Sequence, residues 1–323
     1  MVAPQQGASY DEQLQAARAT EAAGFSDFVR SDHYLAFDGT GLPGPTDSWI
    51  TLAGLARETE RVRLGTMVSA ATFRLPGPMA IAVAQVDVMS AGRITLALGA
   101  GWAEQEHLAY GIPFPPPAER FERLEEQLEI ITGIWRTPVG ESYSFHGTHY
   151  RLVDCPALPK PVQHPHPPVI VGGTGPRRTP AIAAGFADEF NLPPFNTPDA
   201  VAVAFARVRA ACDAIGRDPD TLEYSVTLTT VCGANRADIE RRGAVPPAQF
   251  HAADCAGTPD QVLEQLLAYR DVGATRAYLR LLDLRDVEHI TLLGDEVLPG
   301  VTRASTTGSP SAAREMPPHA PPG

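Results

Sequence analysis

The sequence predicts an α/β protein, a (β/α)8 TIM barrel carrying one insertion (helix plus hairpin) after strand four, and two observations carry that prediction. Four times a helical segment ends near a glycine and passes directly into a short apolar strand: Ala22-Ala23-Gly24-Phe25, Ser90-Ala91-Gly92-Arg93, Ala183-Ala184-Gly185-Phe186 and Asp271-Val272-Gly273-Ala274. Repeated βα units need such a turn. Further apolar runs at Val2 to Pro4, Val62 to Val68, Val169 to Gly172 and Glu223 to Cys232 bring the strands to eight, alternating with helices. A closed barrel follows from that count.

Strand one has only Val2-Ala3-Pro4-Gln5 to fill a central position, fewer residues than such strands need, so a start codon further upstream is expected. Strand two ends at Ser31-Asp32-His33. Strand three, Val62 to Val68, runs into a loop of Thr72, Phe73, Arg74 and Pro76, and the helix that follows, Met79 to Ser90, is apolar on almost every side. Such a helix is expected to be buried against the sheet. Strand four, Ile94 to Leu98, ends in Gly99-Ala100-Gly101-Trp102, where small residues let a ligand approach the backbone and Trp102 offers an aromatic face.

The stretch from Gln105 to Pro168 is too long for a single helical crossover. It holds a helix, Pro117 to Trp135, then Tyr143 to Val153 with His146-Gly147-Thr148 as a hairpin tip, and a Pro-rich return. An insertion at the catalytic face covers or shapes a pocket. Residues 1 to 300 read as one domain; from Val301 to Gly323 the chain is rich in Ser, Thr, Ala and Pro without periodicity, and a disordered tail is expected.

A net charge of -12 and the absence of a basic block argue against nucleic acid and anionic membrane surfaces as partners. Cys155, Cys212, Cys232 and Cys255 are widely separated and match neither a zinc template nor a disulfide framework, which fits a reducing cytoplasm. No apolar stretch reaches transmembrane length and no export signal is visible.

Several residues have both a functional and a structural reading. His33 is either a proton-transfer group or a core histidine; Asp32 touches a cofactor or caps a turn. Glu104 and Glu106 begin a helix, where carboxylates favour the dipole and face solvent by default. The charged run from Glu119 to Glu129 reads as a solvated helix face with Phe121, Leu124 and Leu128 turned inward. His146, His149, His164 and His166 match no metal template.

Ser31-Asp32-His33, Gly65-Thr66-Met67-Val68, the Gly-Ala-Gly-Trp turn and Pro167-Pro168-Val169-Ile170-Val171-Gly172-Gly173 occur in one order, and together they resemble the bacterial-luciferase-like superfamily, most closely its branch of oxidoreductases dependent on the deazaflavin coenzyme F420. The resemblance implies a strand-three bulge with a non-prolyl cis peptide at Met67-Val68, beside Thr66, supporting the rear of the deazaflavin ring. Gly101 and Trp102, already read as a place where a ligand meets backbone and an aromatic face, are then expected to bind the coenzyme, and the resemblance implies that Gly172, Gly173, Thr174 and Gly175 offer backbone N–H groups to its phosphate, with Arg177 or Arg178 adding charge. By the same likeness Asp32 and His33 lie near the reacting centre, and the protein is a homodimer acting on a small organic substrate.

Two departures from the family stand out. Some members carry a glutamate at the place of Trp102 and a tryptophan near that of Phe37. Without them, His33 is the candidate proton donor, Asp32 the residue that sets its tautomer, and Glu104 or Glu106 the substitute carboxylate. The alternatives are an FMN-dependent, luciferase-type monooxygenase using oxygen and a reductase, and a catalytically silent flavin-binding paralogue.

Overall fold

The computed structural model describes residues 2–3, 7–36, 41–244 and 254–307. Pro4, Gln5 and Phe37 lie outside them. The chain opens with β1 (Val2–Ala3), α1 (Tyr10–Ala22), β2 (Asp27–Arg30), α2 (Ser48–Glu58), β3 (Arg63–Thr66), β4 (Ser69–Ala70), α3 (Pro76–Met89) and β5 (Ile94–Gly99). Then come α4 (Glu104–Tyr110), α5 (Pro117–Arg136), the hairpin β6 (Tyr143–His146) and β7 (Arg151–Cys155), and β8 (Val169–Gly172). The last third holds α6 (Arg178–Phe186), β9 (Glu189–Leu192), α7 (Pro198–Ala214), β10 (Glu223–Cys232), α8 (Arg236–Gly243), β11 (Cys255–Gly257), α9 (Pro259–Asp271), β12 (Arg276–Arg280), α10 (Val287–Leu292) and α11 (Leu298–Thr307).

The barrel closes as expected. β1 pairs in parallel with β2, β2 with β3, β3 with β5, β5 with β8, β8 with β9, β9 with β10, and β10 with β12, which returns to β1. Each strand alternates. Leu64, Leu96, Val171, Phe190 and Leu228 join the shell between barrel and helices, whereas Val29, Ala97, Ile170 and Tyr278 fill the interior. The interior also holds a polar bridge, with Asn191 Nδ2 donating to Ser225 Oγ and Thr227 Oγ1 donating to Asn191 Oδ1. Close strand approach explains Gly65: a Cβ there would stand 2.5 Å from the Thr95 carbonyl oxygen.

Three expectations are corrected. The apolar run Val62 to Val68 is not one strand, because it breaks after Thr66 into a bulge and resumes as β4. Helix α5 is the crossover helix of the barrel itself, packed between α3 and α6, so the true additions are α4 and the β6–β7 hairpin. The chain also remains helical to Thr307 instead of ending its order at Val301: Val301 packs on the core, and Gly300 lies so close to Leu263 of α9 that a Cβ would reach 2.3 Å from it. Residues 308–323 lie outside the described set.

On α5 the inward face is as read, with Leu124 and Leu128 buried and Trp135 Nε1 donating to the Ala80 carbonyl. The solvated face has a further task, since Glu126 accepts the amide N–H groups of Thr148, His149 and Tyr150 and so fastens the hairpin tip. Among the described residues no helix is long and apolar enough to cross a membrane, and no group of three or more His, Cys, Asp or Glu side chains is arranged to hold a metal.

Gly65→Ala is expected to destabilise the barrel by about 1–3 kcal/mol through overpacking. Gly77→Ala on α3, where a Cβ meets nothing within 4 Å, is expected to be neutral or stabilising by less than about 1 kcal/mol. Urea denaturation of the two variants checks the contrast.

Candidate active site

The candidate site lies at the carboxyl ends of the barrel strands, around the strand-three bulge. The Met67-Val68 peptide is cis, as the family resemblance implied, and both residues pack on the interior cluster of Val29, Ala97, Ile170 and Tyr278. Val68 can sit there because its neighbours lack side chains. A Cβ on Gly99 would stand 3.0 Å from Val68 Cγ2, and one on Gly172 would stand 3.0 Å from Val68 Cγ1. Strands β5 and β8 therefore end in bare backbone on either side of the bulge.

Asp32 holds this bulge in place. Its carboxylate, 1% exposed, accepts the Ser69 hydroxyl at 2.6 Å just beyond the bulge and pairs with Arg74 Nη1 at 2.5 Å. Ser69 Oγ also lies 3.1 Å from Thr66 Oγ1, and Thr66 donates to the Ala97 carbonyl, so the two ends of the bulge sit together against β5. Arg74 reaches a second carboxylate, Asp47, at 2.7 Å, and Asp47 caps α2 through the amides of Trp49 and Ile50. Burial opposes the charge on Arg74, but Asp32 and Asp47 outweigh it and raise its pKa. Tyr34, beside the same cluster, is pushed up to about 12, mainly by burial.

Asp32 therefore does not orient His33, and that expectation is corrected. Successive residues of an extended chain point to opposite sides, and Asp32 turns to Ser69 and Arg74 while His33 turns to Glu106. His33 Nδ1 lies 2.9 Å from Glu106 Oε1, and Glu106 Oε2 accepts the Tyr34 amide at 2.9 Å. Of the two carboxylates at the start of α4, the solvated one is Glu104, which is exposed, whereas Glu106 is 1% exposed. Two positions along a helix are roughly 200° apart about its axis, so only one of them can meet His33. Trp102 stands edge-on to the His33 ring with centroids 5.7 Å apart and is 60% exposed, so it is a wall of the mouth and not a core residue.

The added elements brace this arrangement. Gln127 of α5 donates to the carbonyls of Ala71 and Arg74, and its Nε2 lies 2.9 Å from Tyr150 Oη of the hairpin. Arg120, its guanidinium 4.0 Å over the Phe114 ring, donates to the Gly101 carbonyl at 2.7 Å. His107 Nδ1 faces the Ala103 carbonyl at 2.6 Å, which fixes the proton on Nδ1, so Nε2 accepts the Thr72 hydroxyl at 2.7 Å. Phe73 and Phe114 flank the His107 ring, and Tyr34 stacks on Phe73. Arg74, Asp47, Ser69, Arg120 and Gln127 are the residues that sequence reading missed. Arg74 alone left a signal, as a charge in an otherwise apolar loop.

The glycine loop after β8 is partly committed. The Gly173 N–H donates to the Asn191 carbonyl at 3.2 Å and is taken from the expected phosphate cradle. Thr174 and Gly175 precede α6, whose N-cap, Arg177, makes no side-chain capping bond. Arg177 is exposed, and Arg178 is occupied by Glu125 and the Ala118 carbonyl.

A family model described as luciferase-like monooxygenase matches residues 1–246. The chain belongs to the luciferase-like monooxygenase family. Within it, this family member is 32% identical over 285 residues to an F420-dependent hydroxymycolic acid dehydrogenase of Mycobacterium tuberculosis, covering 81% of this chain and 74% of that one. It is 24% identical over 325 residues to an FMNH(2)-dependent dimethylsulfone monooxygenase of Pseudomonas putida, covering 88% and 85%. Its match to an F420-dependent glucose-6-phosphate dehydrogenase of Microbacterium testaceum is 36% identical over 162 residues and spans 49% of this chain and 46% of that protein. The fold is shared with an F420-dependent secondary alcohol dehydrogenase in complex with an F420-acetone adduct, at TM-score 0.79 and 18% identity over 93% of this chain and 98% of that one.

Asp32→Ala in this luciferase-like barrel is expected to lower unfolding free energy by about 3–5 kcal/mol, because it leaves the buried Arg74 half-compensated. Denaturant titration reads the loss. For Asp47, burial alone would raise the carboxyl, but Arg74 overrides it and holds it below the usual range. The contribution of Asp47 is therefore complete above about pH 4 and is lost as pH falls through the depressed folded value. In Asp47→Asn that part of the acid dependence of stability is expected to disappear.

Proposed function

We propose that this protein is an F420-dependent oxidoreductase that moves a hydride between the deazaflavin and a small organic substrate, with His33 exchanging the accompanying proton. The observation that carries the reading is the Val68 bulge set between the bare ends of β5 and β8. A flat polycyclic ring needs such a floor, and side chains at Gly99 or Gly172 would fill it. The F420-dependent relatives support the choice of coenzyme.

When bound, the coenzyme supplies the two-electron chemistry, and the protein supplies support, orientation and a proton. Thr66, Met67 and Val68 would support the rear of the ring, with Gly101 and Trp102 at its side. The amides of Thr174 and Gly175, ahead of a helix N-terminus that lacks a side-chain cap, would receive the phosphate with Arg177 adding charge. His33 gives or takes the proton at the substrate oxygen. Glu104, exposed on the far side of α4, has no part in this step.

The second reading, an FMN-dependent monooxygenase on the same floor, is favoured by the relative that aligns over most of both chains. Paired calorimetric titrations with F420 and FMN, oxidised and reduced, separate the two, followed by a screen of alcohols and carbonyl compounds. Selective F420 binding is the expected result, and a preference for FMN would overturn it. His33→Ala is expected to retain F420 binding and lose about 10²–10⁴-fold in kcat.

The same reading makes the protein a cytoplasmic homodimer, in a compartment that keeps its cysteines as thiols. Helix α3 supports the dimer, since Leu75 before it and Ile81 and Val88 along it are exposed at 63%, 46% and 50%. Exposed apolar stripes of this kind mark protein contacts. Ile81→Asp combined with Val88→Asp is expected to halve the mass measured by light scattering; an unchanged mass would place the contact elsewhere or show a monomer throughout.

A further inference from the structure

The direction of the hydrogen bond that holds His33 is set by what lies behind it. Both oxygens of the buried Glu106 are engaged, Oε1 by His33 Nδ1 and Oε2 by the Tyr34 amide N–H, each at 2.9 Å. A carboxylate offers only acceptors, so Nδ1 carries the ring proton, and in the neutral form of the ring Nε2 is the nitrogen without one. We propose that Glu106 is the positioning residue of this site, fixing the His33 tautomer so that Nε2 accepts the hydroxyl proton of an alcohol substrate during oxidation and returns it during reduction.

The inference rests on His33 as the proton-transfer group. In the oxidative direction the O–H bond breaks and its proton goes to Nε2. The C–H bond electrons leave with the hydrogen as hydride to the oxidised deazaflavin, the carbonyl forms, and the imidazolium then loses a proton to solvent. Glu106 stabilises that imidazolium through Nδ1–H, as a carboxylate does in other histidine dyads. The neighbouring charges Asp32 and Arg74 are paired with each other, and the Trp102 ring meets the imidazole edge-on.

Glu106→Gln is nearly isosteric and reverses the constraint. The Tyr34 N–H requires an acceptor, so the Gln carbonyl oxygen turns to Tyr34 and its NH2 faces His33 Nδ1. Two donors cannot share that contact, and the ring proton moves to Nε2.

Long-range ¹⁵N–¹H correlation spectra of the protein without coenzyme report which ring nitrogen is protonated. The expected result is Nδ1–H in the native protein and Nε2–H in Glu106→Gln, with kcat lowered at least tenfold and KM held within twofold on the best alcohol of the screen. A native Nε2–H tautomer overturns the proposal and needs no variant, so the test survives a Gln variant that fails to fold. An unchanged tautomer in Glu106→Gln overturns it as well. If the tautomer flips as expected while His33→Ala retains native turnover, the proton-transfer reading fails and the tautomer assignment stands.

Discussion

A guanidinium taken out of water needs compensation on each face that it turns to the protein, and Arg74 finds it in Asp32 on one side and Asp47 on the other. That requirement joins three pieces of chain that share no strand pairing at this point: the end of β2, the loop beyond the bulge and the start of α2. Because Asp32 also accepts the Ser69 hydroxyl, the same charge balance fixes where the bulge lies. Arg30, fully buried beside this cluster, is lowered to about 10 by desolvation and anchors the Thr46 backbone one residue before the Asp47 cap. The mouth of the barrel is thus set by electrostatics from below, while its floor is set by the lack of side chains at Gly99 and Gly172.

The elements after β5 complete the mouth from above. Helix α5 is both the barrel's own crossover and a clamp, reaching the bulge loop through Gln127 and the Gly101 carbonyl through Arg120. The aromatic series Tyr34, Phe73, His107 and Phe114 ends under the Arg120 guanidinium, so the loop beyond the bulge is packed on one face and hydrogen-bonded on the other. His33 and Trp102 sit at the rim of this braced block, so their positions are fixed by the packing beneath them.

Much of the fold was legible because its signals are local. The glycine turns at Gly24, Gly92, Gly185 and Gly273 mark helix ends within a few residues, and Glu223–Cys232 is a strand with the bounds read from its β-branched run. What failed was non-local. The run from Val62 to Val68 looks continuous, and its break is imposed by partners on β5 and by Asp32. The helix after it begins at Pro76, not Met79, because proline suits the first helical turn. Val301 looked like the start of a tail because the helix that carries it packs on α9, a segment remote in sequence. Adjacency in sequence misled at Asp32 and His33, and the true partner, Glu106, lies 73 residues away on a helix whose exposed start concealed one buried face.

The grip of Gln127 on the bulge loop has a consequence for how such a site changes over time. It binds the carbonyls of Ala71 and Arg74, groups that every amino acid carries, and Arg120 likewise holds the Gly101 carbonyl. These particular bonds ask nothing of the side chains on the residues that they hold. An exposed side chain beside such a grip, as at Trp102, can be exchanged while the backbone beneath it keeps its shape.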